Sequence, residues 1–107
     1  MAIPETLENV SVKLKANIYF DGKVVSHSIF AKDGSKKTTG LIYPGSFHFN
    51  TDAPERMDIL AGNCRVLLKG EQEWKNYDAG SFFKVAGKSA FDIAVDSGIT
   101  EYLCTFE

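Results

Sequence analysis

Residues 90–106 read AFDIAVDSGITEYLCTF, and this stretch decides the fold class. Large side chains recur at every second position on either side of the turn residues Ser97-Gly98: Phe91, Ile93 and Val95 before the turn, and Tyr102, Cys104 and Phe106 after it. A period of two residues is typical of a β-strand with one buried face. The stretch therefore predicts two strands whose large side chains point into a common core.

Short runs of the same kind continue toward the amino terminus, separated by turn residues such as Asp21-Gly22 and Pro44-Gly45. No stretch shows a sustained helical period. The spacing favours a single all-β domain, and closure into a barrel would remove exposed strand edges. The predicted strands are 18–20, 23–30, 37–42, 46–50, 56–60, 65–68, 73–77, 81–85, 90–95 and 100–106.

The first sixteen residues have a different character. Pro4 interrupts them, and Val10, Val12 and Leu14 alternate with polar residues as in an edge strand. We expect 1–16 to be an N-terminal segment with an edge strand, and 17–107 to be one barrel domain.

Size and charge exclude several classes of protein. The 107 residues suffice for one hydrophobic core, and a net charge of -2 does not indicate a nucleic-acid-binding surface. The apolar runs are too short for a membrane span or a signal peptide, so we expect a cytoplasmic protein that binds neither membrane nor nucleic acid. Cys64 and Cys104 each lie in an apolar stretch, which predicts buried free thiols.

One segment carries chemistry-bearing residues at a characteristic spacing. Residues 48–62, HFNTDAPERMDILAG, follow the pattern H-x-N-x4-E-x6-G. This resembles the first motif of the cupins, jelly-roll (double-stranded β-helix) barrels in which two His and a Glu bind a transition metal. Asn50 stands at the second His here. Parity does not decide which face of this strand lines the barrel.

The second cupin motif is mostly missing. Gly80 agrees with its first position, but Ala86 replaces the Pro and Phe91 replaces the metal-binding His. A phenyl ring cannot ligate a metal and a neutral amide is a poor substitute for imidazole. We therefore predict a cupin-like barrel without a metal or other cofactor.

A closer resemblance covers the chain from Asn17 to Phe106. The chain is similar, in order and at matching intervals, to the small bacterial pyrimidine/purine nucleoside phosphorylase family, a metal-free cupin-fold group; one departure is Ala86, where the family usually has Pro. The stretches are 17–26 (NIYFDGKVVS), 40–49 (GLIYPGSFHF), 51–57 (TDAPERM), 74–80 (WKNYDAG), 81–85 (SFFKV), 89–91 (SAF) and 102–104 (YLC).

The resemblance implies phosphorolysis with broad base tolerance: a purine or pyrimidine nucleoside and inorganic phosphate give free base and α-D-ribose 1-phosphate. Such a reaction needs groups that hold phosphate, ribose hydroxyls and the leaving base. The catalytic candidates are His48, Glu55 and Arg56, and the substrate-binding candidates are Asn50, Tyr43, Lys84, Phe91 and Tyr77. The aromatic candidates would stack on any base.

Ordinary structural roles compete with these assignments. Glu55 and Arg56 also suit a surface turn or ion pair, and His48 suits a packed or solvent-facing position. Two other functions stay open: a non-catalytic cupin that binds a small metabolite, and a metal-dependent cupin oxygenase or isomerase using His48 and Glu55. We expect a homodimer, and a second subunit could complete the site.

Overall fold

The computed structural model describes residues 3–107 and is all-β. It confirms every predicted strand to within about two residues, including the edge strand near the amino terminus. The strands are β1 (Val10–Val12), β2 (Asn17–Tyr19), β3 (Val24–Ala31), β4 (Lys36–Ile42), β5 (Gly45–Asn50), β6 (Glu55–Ala61), β7 (Asn63–Leu68), β8 (Lys75–Asp78), β9 (Phe82–Val85), β10 (Ala90–Val95) and β11 (Thr100–Phe106).

The strands form two antiparallel sheets. The seven-stranded sheet has the order β1-β3-β4-β11-β6-β9, with β2 also pairing with β3. The four-stranded sheet has the order β5-β10-β7-β8. Strands distant in sequence thus become neighbours: β11 lies between β4 and β6, and β10 lies between β5 and β7.

The core lies between the sheets, where the period-two pattern predicted it. Ile93 and Ile59 are fully buried in facing sheets, and Val24, Ile42 and Val66 are nearly so. Both cysteines are free and buried, as predicted. No helix within residues 3–107 is long and apolar enough to cross a membrane.

The structure shows which face of strand β5 points into the core, a question that the sequence left open. Phe47 is buried in the core and Phe49 packs against it, whereas the intervening His48 is exposed. The short 3-10 turn Phe20–Gly22 supports this orientation, because the Phe20 ring lies 5.0 Å from the Phe47 ring and 5.5 Å from the Phe49 ring, centroid to centroid. The aromatic face of β5 is therefore the inner face.

Candidate active site

The inner faces of the two sheets enclose a cavity of about 570 Å³. This volume lies within the range typical of small-molecule sites, roughly 300–1,000 Å³. Side chains from both sheets line the cavity, and the segment that joins β5 to β6 contributes Asp52 and Ala53. The cavity is therefore the candidate active site, and its walls differ in chemistry.

Aromatic rings form one wall. The rings of Phe49 and Phe91, on the adjacent strands β5 and β10, are stacked with centroids 5.6 Å apart and planes inclined by 24°. Tyr19 meets Phe49 edge-on at 6.2 Å. All three rings line the cavity, and they offer a flat apolar surface to a planar ligand.

Hydroxyl and amide groups form the opposite wall. The Asn17 side-chain amide donates to the hydroxyls of Ser26 and Ser28, each at 3.2 Å. Tyr102 lies beside them, and burial raises the pKa of its phenol to about 12, an effect that a hydrogen bond with Ser26 partly offsets. Tyr102 is therefore a neutral hydrogen-bonding group at physiological pH.

Gly40 makes room for this wall. A Cβ at Gly40 would collide with the Val25 carbonyl oxygen and lie 2.9 Å from the Tyr102 hydroxyl. Since any larger residue would push the phenol away from Ser26, glycine at this strand position has a packing reason.

Glu55 and Cys104 lie together at the cavity. Burial raises the pKa of the Glu55 carboxyl, and a hydrogen bond from the Cys104 thiol partly offsets the increase. Burial and the nearby Glu55 raise the pKa of Cys104 to about 12. Glu55 is therefore a half-buried hydrogen-bonding group, and Cys104 is a protonated thiol, not a nucleophile.

The segment carrying Asn50 and Asp52 is fixed to the turn before β10. The buried Thr51 hydroxyl donates to the Ala86 carbonyl oxygen at 2.6 Å and accepts from the Ser89 backbone N–H at 3.0 Å. The Lys88 backbone N–H donates to the Asp52 carbonyl oxygen at 3.1 Å. The groups on this side of the cavity thus have a rigid support.

Three of the residues predicted from sequence, Asn50, Glu55 and Phe91, line the cavity. They come from three strands, β5, β6 and β10. The structure thus brings the carboxyl of the catalytic candidate Glu55 and the ring of the substrate-binding candidate Phe91 to one cavity. Asn50 joins them from the exposed last position of β5, where it has the same parity as His48.

The structure does not bring His48 or Arg56 to the cavity. His48 lies on the outer face of β5, where its Nδ1 is 2.8 Å from Asp92 Oδ1. Arg56 alternates with the inward Glu55 and Met57, pairs with Asp58 at 3.2 Å, and stacks 3.9 Å above the Phe82 ring centroid. Both side chains have partners on the outer faces of the sheets.

Tyr43, Lys84 and Tyr77 also lie outside the cavity lining. Tyr43 follows β4 and is partly exposed, and Lys84 Nζ is 3.6 Å from Glu107 Oε1. Tyr77 packs at the core with its ring 5.0 Å from that of Phe83.

Sequence reasoning missed much of the polar lining. The polar lining residues that it did not assign to the site are Asn17, Tyr19, Ser26, Lys36, Thr38, Asp52, Tyr102 and Cys104. Tyr102 and Cys104 could have been predicted, because they lie two positions apart on β11 and the alternating pattern already indicated that both point inward. Residues 36–39 read KKTT and offer no apolar alternation, so their inward members could not be identified.

Within residues 3–107, no group of three or more His, Cys, Asp or Glu side chains is arranged to hold a metal ion. Phe49 and Phe91 occupy inward positions in the region where the motif comparison sought ligands. The polar groups of the cavity are amide, hydroxyl, carboxyl, thiol and ammonium groups.

Residues 14–106 match the family described as pyrimidine/purine nucleoside phosphorylase. A pyrimidine/purine nucleoside phosphorylase of Dechloromonas aromatica is 56% identical over 99 residues, covering 92% of this chain and 95% of the relative. One of Aromatoleum aromaticum is 51% identical over 106 residues, covering 99% of each chain.

Solved structures share the fold. A crystal structure of a protein of unknown function from Acinetobacter sp. ADP1 superposes with a TM-score of 0.92 and 39% identity, covering 95% of this chain and 98% of that one. Bacillus subtilis oxalate decarboxylase superposes with a TM-score of 0.74 at 12% identity, covering 99% of this chain and 31% of that one. The second likeness concerns the fold alone.

Proposed function

Because the chain belongs to the pyrimidine/purine nucleoside phosphorylase family, we propose that it catalyses the phosphorolysis of purine and pyrimidine nucleosides in the cavity between its two sheets. The observation that carries this proposal is one cavity with an aromatic wall and a polar wall. A nucleoside has the same division, since its base is planar and its ribose is polar.

The reaction balances with the two substrates alone. An oxygen of hydrogen phosphate attacks C1′ of the ribose, and the bond between C1′ and the base nitrogen breaks. The electron pair of that bond stays with the base, which gains the proton of hydrogen phosphate, and ribose 1-phosphate is the second product. The enzyme has to align phosphate with C1′ and stabilise positive charge developing on the sugar.

The lining residues have suitable chemistry for these tasks. The stacked Phe49 and Phe91 rings provide a platform for the base, and stacking tolerates purines and pyrimidines alike. Glu55 and Asn50 form hydrogen bonds with the ribose hydroxyls. The Glu55 carboxylate, close to C1′, also stabilises the oxocarbenium-like transition state. The catalytic roles of His48 and Arg56 stay predictions, since their side chains have partners elsewhere.

We propose that the two sheets form the jelly-roll barrel of the cupin fold. The eight strands β4 to β11 fall into two sheets with the orders β4-β11-β6-β9 and β5-β10-β7-β8. In chain order they alternate between the sheets except at β7 and β8, which are neighbours in one sheet. Two four-stranded sheets interleaved in this way are what a chain of two Greek keys produces. Residues 17–107 then form the barrel domain, and 1–16 form an N-terminal segment that adds strand β1.

We also propose a homodimer. Strands β5, β8 and β9 each have one edge without a strand partner among residues 3–107. Such edges are suited to pairing with a second copy. Light scattering would distinguish a mass of 11.8 kDa from twice that value.

The test is to incubate the purified protein with uridine or adenosine, with and without phosphate and in excess chelator, and to measure free base by chromatography. We expect base release that requires phosphate and survives the chelator. Glu55→Gln, purified identically, controls for a contaminating phosphorylase, because it should lose most of the activity while the contaminant would remain. Saturable nucleoside binding without base release would instead support the non-catalytic binding protein.

A further inference from the structure

Lys36 is the one cationic side chain of the cavity. Among the lining residues within 3–107 there is no other lysine, no arginine and no histidine. The cationic candidates from the sequence, Arg56 and Lys84, lie outside the cavity next to Asp58 and Glu107 respectively. A phosphate in the cavity therefore has a single ammonium group available to it.

The Lys36 ammonium is not engaged with a carboxylate. None of the ion pairs found within residues 3–107 includes it. Its Nζ lies 5.6 Å from the centroid of the Phe106 ring, an aromatic surface that orients the side chain without using up its hydrogen-bond donors. Three N–H donors are thus available to a ligand.

The position of Lys36 complements that of Glu55. Strand β11 separates the two residues, since Lys37 pairs with Thr105 and Phe106 pairs with Glu55. Two strand spacings correspond to a backbone separation of roughly 10 Å. The backbone positions of Lys36 and Glu55 are therefore well separated along the cavity wall, with Phe106 on the strand between them.

Thr38 lies two residues further along β4 and lines the same cavity. In a strand, residues two apart share a face, so the Lys36 ammonium and the Thr38 hydroxyl follow one another along the cavity wall. An ammonium and a hydroxyl are both common ligands of a phosphate oxygen.

We propose that Lys36 binds the attacking phosphate of the phosphorolysis reaction, with Thr38 as a second hydrogen-bond donor. The inference rests on the proposed function and assigns its anion subsite. Phosphate at Lys36, ribose at Glu55 and Asn50, and base on Phe49 and Phe91 then give the two substrates separate places in one cavity.

The chain provides a matched control in Lys37. This lysine belongs to the same strand but faces the opposite way, and its Nζ donates to Thr105 Oγ1 at 3.1 Å. Lys36→Gln and Lys37→Gln therefore remove the same charge from adjacent positions. Lys36→Arg keeps the positive charge and provides a second variant if Lys36→Gln folds poorly.

The experiment measures base release against phosphate concentration at saturating nucleoside, for the wild type and the three variants. We expect Lys36→Gln to raise the KM for phosphate about 10- to 100-fold, in keeping with the loss of a hydrogen bond to a charged group. Lys36→Arg should retain most phosphate affinity, and Lys37→Gln should match the wild type. An unchanged KM for phosphate in folded Lys36→Gln would overturn the proposal.

A second measurement separates this proposal from the proposed function. Inorganic phosphate should raise the Tm of the wild type and of Lys37→Gln, but not that of Lys36→Gln, since a ligand stabilises the folded state that binds it. If the wild type releases no base yet shows this Lys36-dependent shift, the anion site stands and the phosphorylase function fails. If base release is normal and the shift is the same in all variants, the function stands and the anion site fails.

Discussion

The Thr51 hydroxyl donates a 2.6 Å hydrogen bond to the carbonyl oxygen of Ala86, across 35 positions of sequence. The Thr51 hydroxyl oxygen also accepts from the Ser89 backbone N–H, so one buried hydroxyl connects the segment after β5 to the turn before β10. The contact uses the backbone carbonyl of Ala86 and so does not depend on its side chain.

Thr51→Val should destabilise the protein by about 1–3 kcal/mol, because it removes two part-buried hydrogen bonds that each contribute about 0.5–1.5 kcal/mol. Urea denaturation monitored by Trp74 fluorescence measures the change. Thr51→Ser is the control, since it keeps the hydroxyl and should lose less stability. A larger loss in Thr51→Ser than in Thr51→Val would show that packing of the methyl group, not the hydrogen bonds, stabilises this connection.

Glu55→Gln should change both activity and the pH dependence of stability. Burial raises the folded-state pKa of Glu55 above its ordinary value of 4.5, so above that pH the unfolded chain gives up this proton more readily than the folded protein. The contribution of Glu55 to the free energy of unfolding therefore falls as pH rises from 4.5 to the folded-state pKa. The variant has no ionisable group here, and we expect it to gain stability relative to the wild type as pH rises above 4.5.

Urea denaturation at several pH values checks this expectation, with Glu101→Gln on the exposed face of β11 as the control. The Glu55→Gln difference should shrink as pH falls and become constant below about 4.5. A difference that is independent of pH would contradict the burial of this carboxyl. Base release should fall in Glu55→Gln and not in Glu101→Gln.

The two thiols should be unreactive in the folded protein. Burial raises the pKa of Cys64 to about 11 and that of Cys104 to about 12, so neither forms appreciable thiolate at pH 8. A chromogenic disulfide reagent should detect no thiol in buffer and two in denaturant. Rapid reaction of one thiol in the native state that is lost in Cys104→Ser would mean that the cavity opens to the reagent at Cys104.

The same thiols predict a loss of stability in alkali. Above pH 9.0 the unfolded chain ionises its cysteines while the folded protein keeps them protonated, so stability falls with rising pH. Each such group contributes at most about 1.4 kcal/mol per pH unit. Cys104→Ser should flatten the decline between pH 9 and pH 10.5, as measured by urea denaturation, and an equally steep decline would exclude Cys104 as its source.

His48→Gln distinguishes a catalytic histidine from a surface one. The His48–Asp92 pair is exposed, with 58% and 37% of the two side chains accessible, and exposed pairs contribute at most about 1 kcal/mol. We expect the variant to fold normally and to retain its kcat/KM for nucleoside. A large loss of kcat in the folded variant would support the role predicted from the sequence.

The sequence predicted the strands well because their large side chains alternate. Residues 90–95 and 100–106 match β10 and β11 residue for residue. Strand β5 was ambiguous because both of its faces carry substantial side chains, and the Phe20 ring that packs on its inner face comes from a turn 27 positions before Phe47. Short-range patterns do not reveal such contacts.

The site was predicted less completely for a related reason. Glu55, Asn50 and Phe91 were found through a motif and a family resemblance. Lys36 and Thr38 were not found, because strand β4 begins with four polar residues and its pattern does not show which of them face inward. The structure decides this, since Lys37 and Thr39 have their hydrogen-bond partners on β11. Which side chains of β4 face the cavity thus depends on its tertiary contacts, and the local sequence does not predict them.

The central place of β11 in the seven-stranded sheet bears on how the protein folds. Strands β4 and β6 each need β11 as a neighbour, and β11 follows both in the chain. Sheets built from such distant pairings fold slowly, on a scale of roughly milliseconds to seconds. Until β11 is inserted, two unpaired strand edges face solvent, and a variant that delays this step would aggregate during refolding even where its native state is stable.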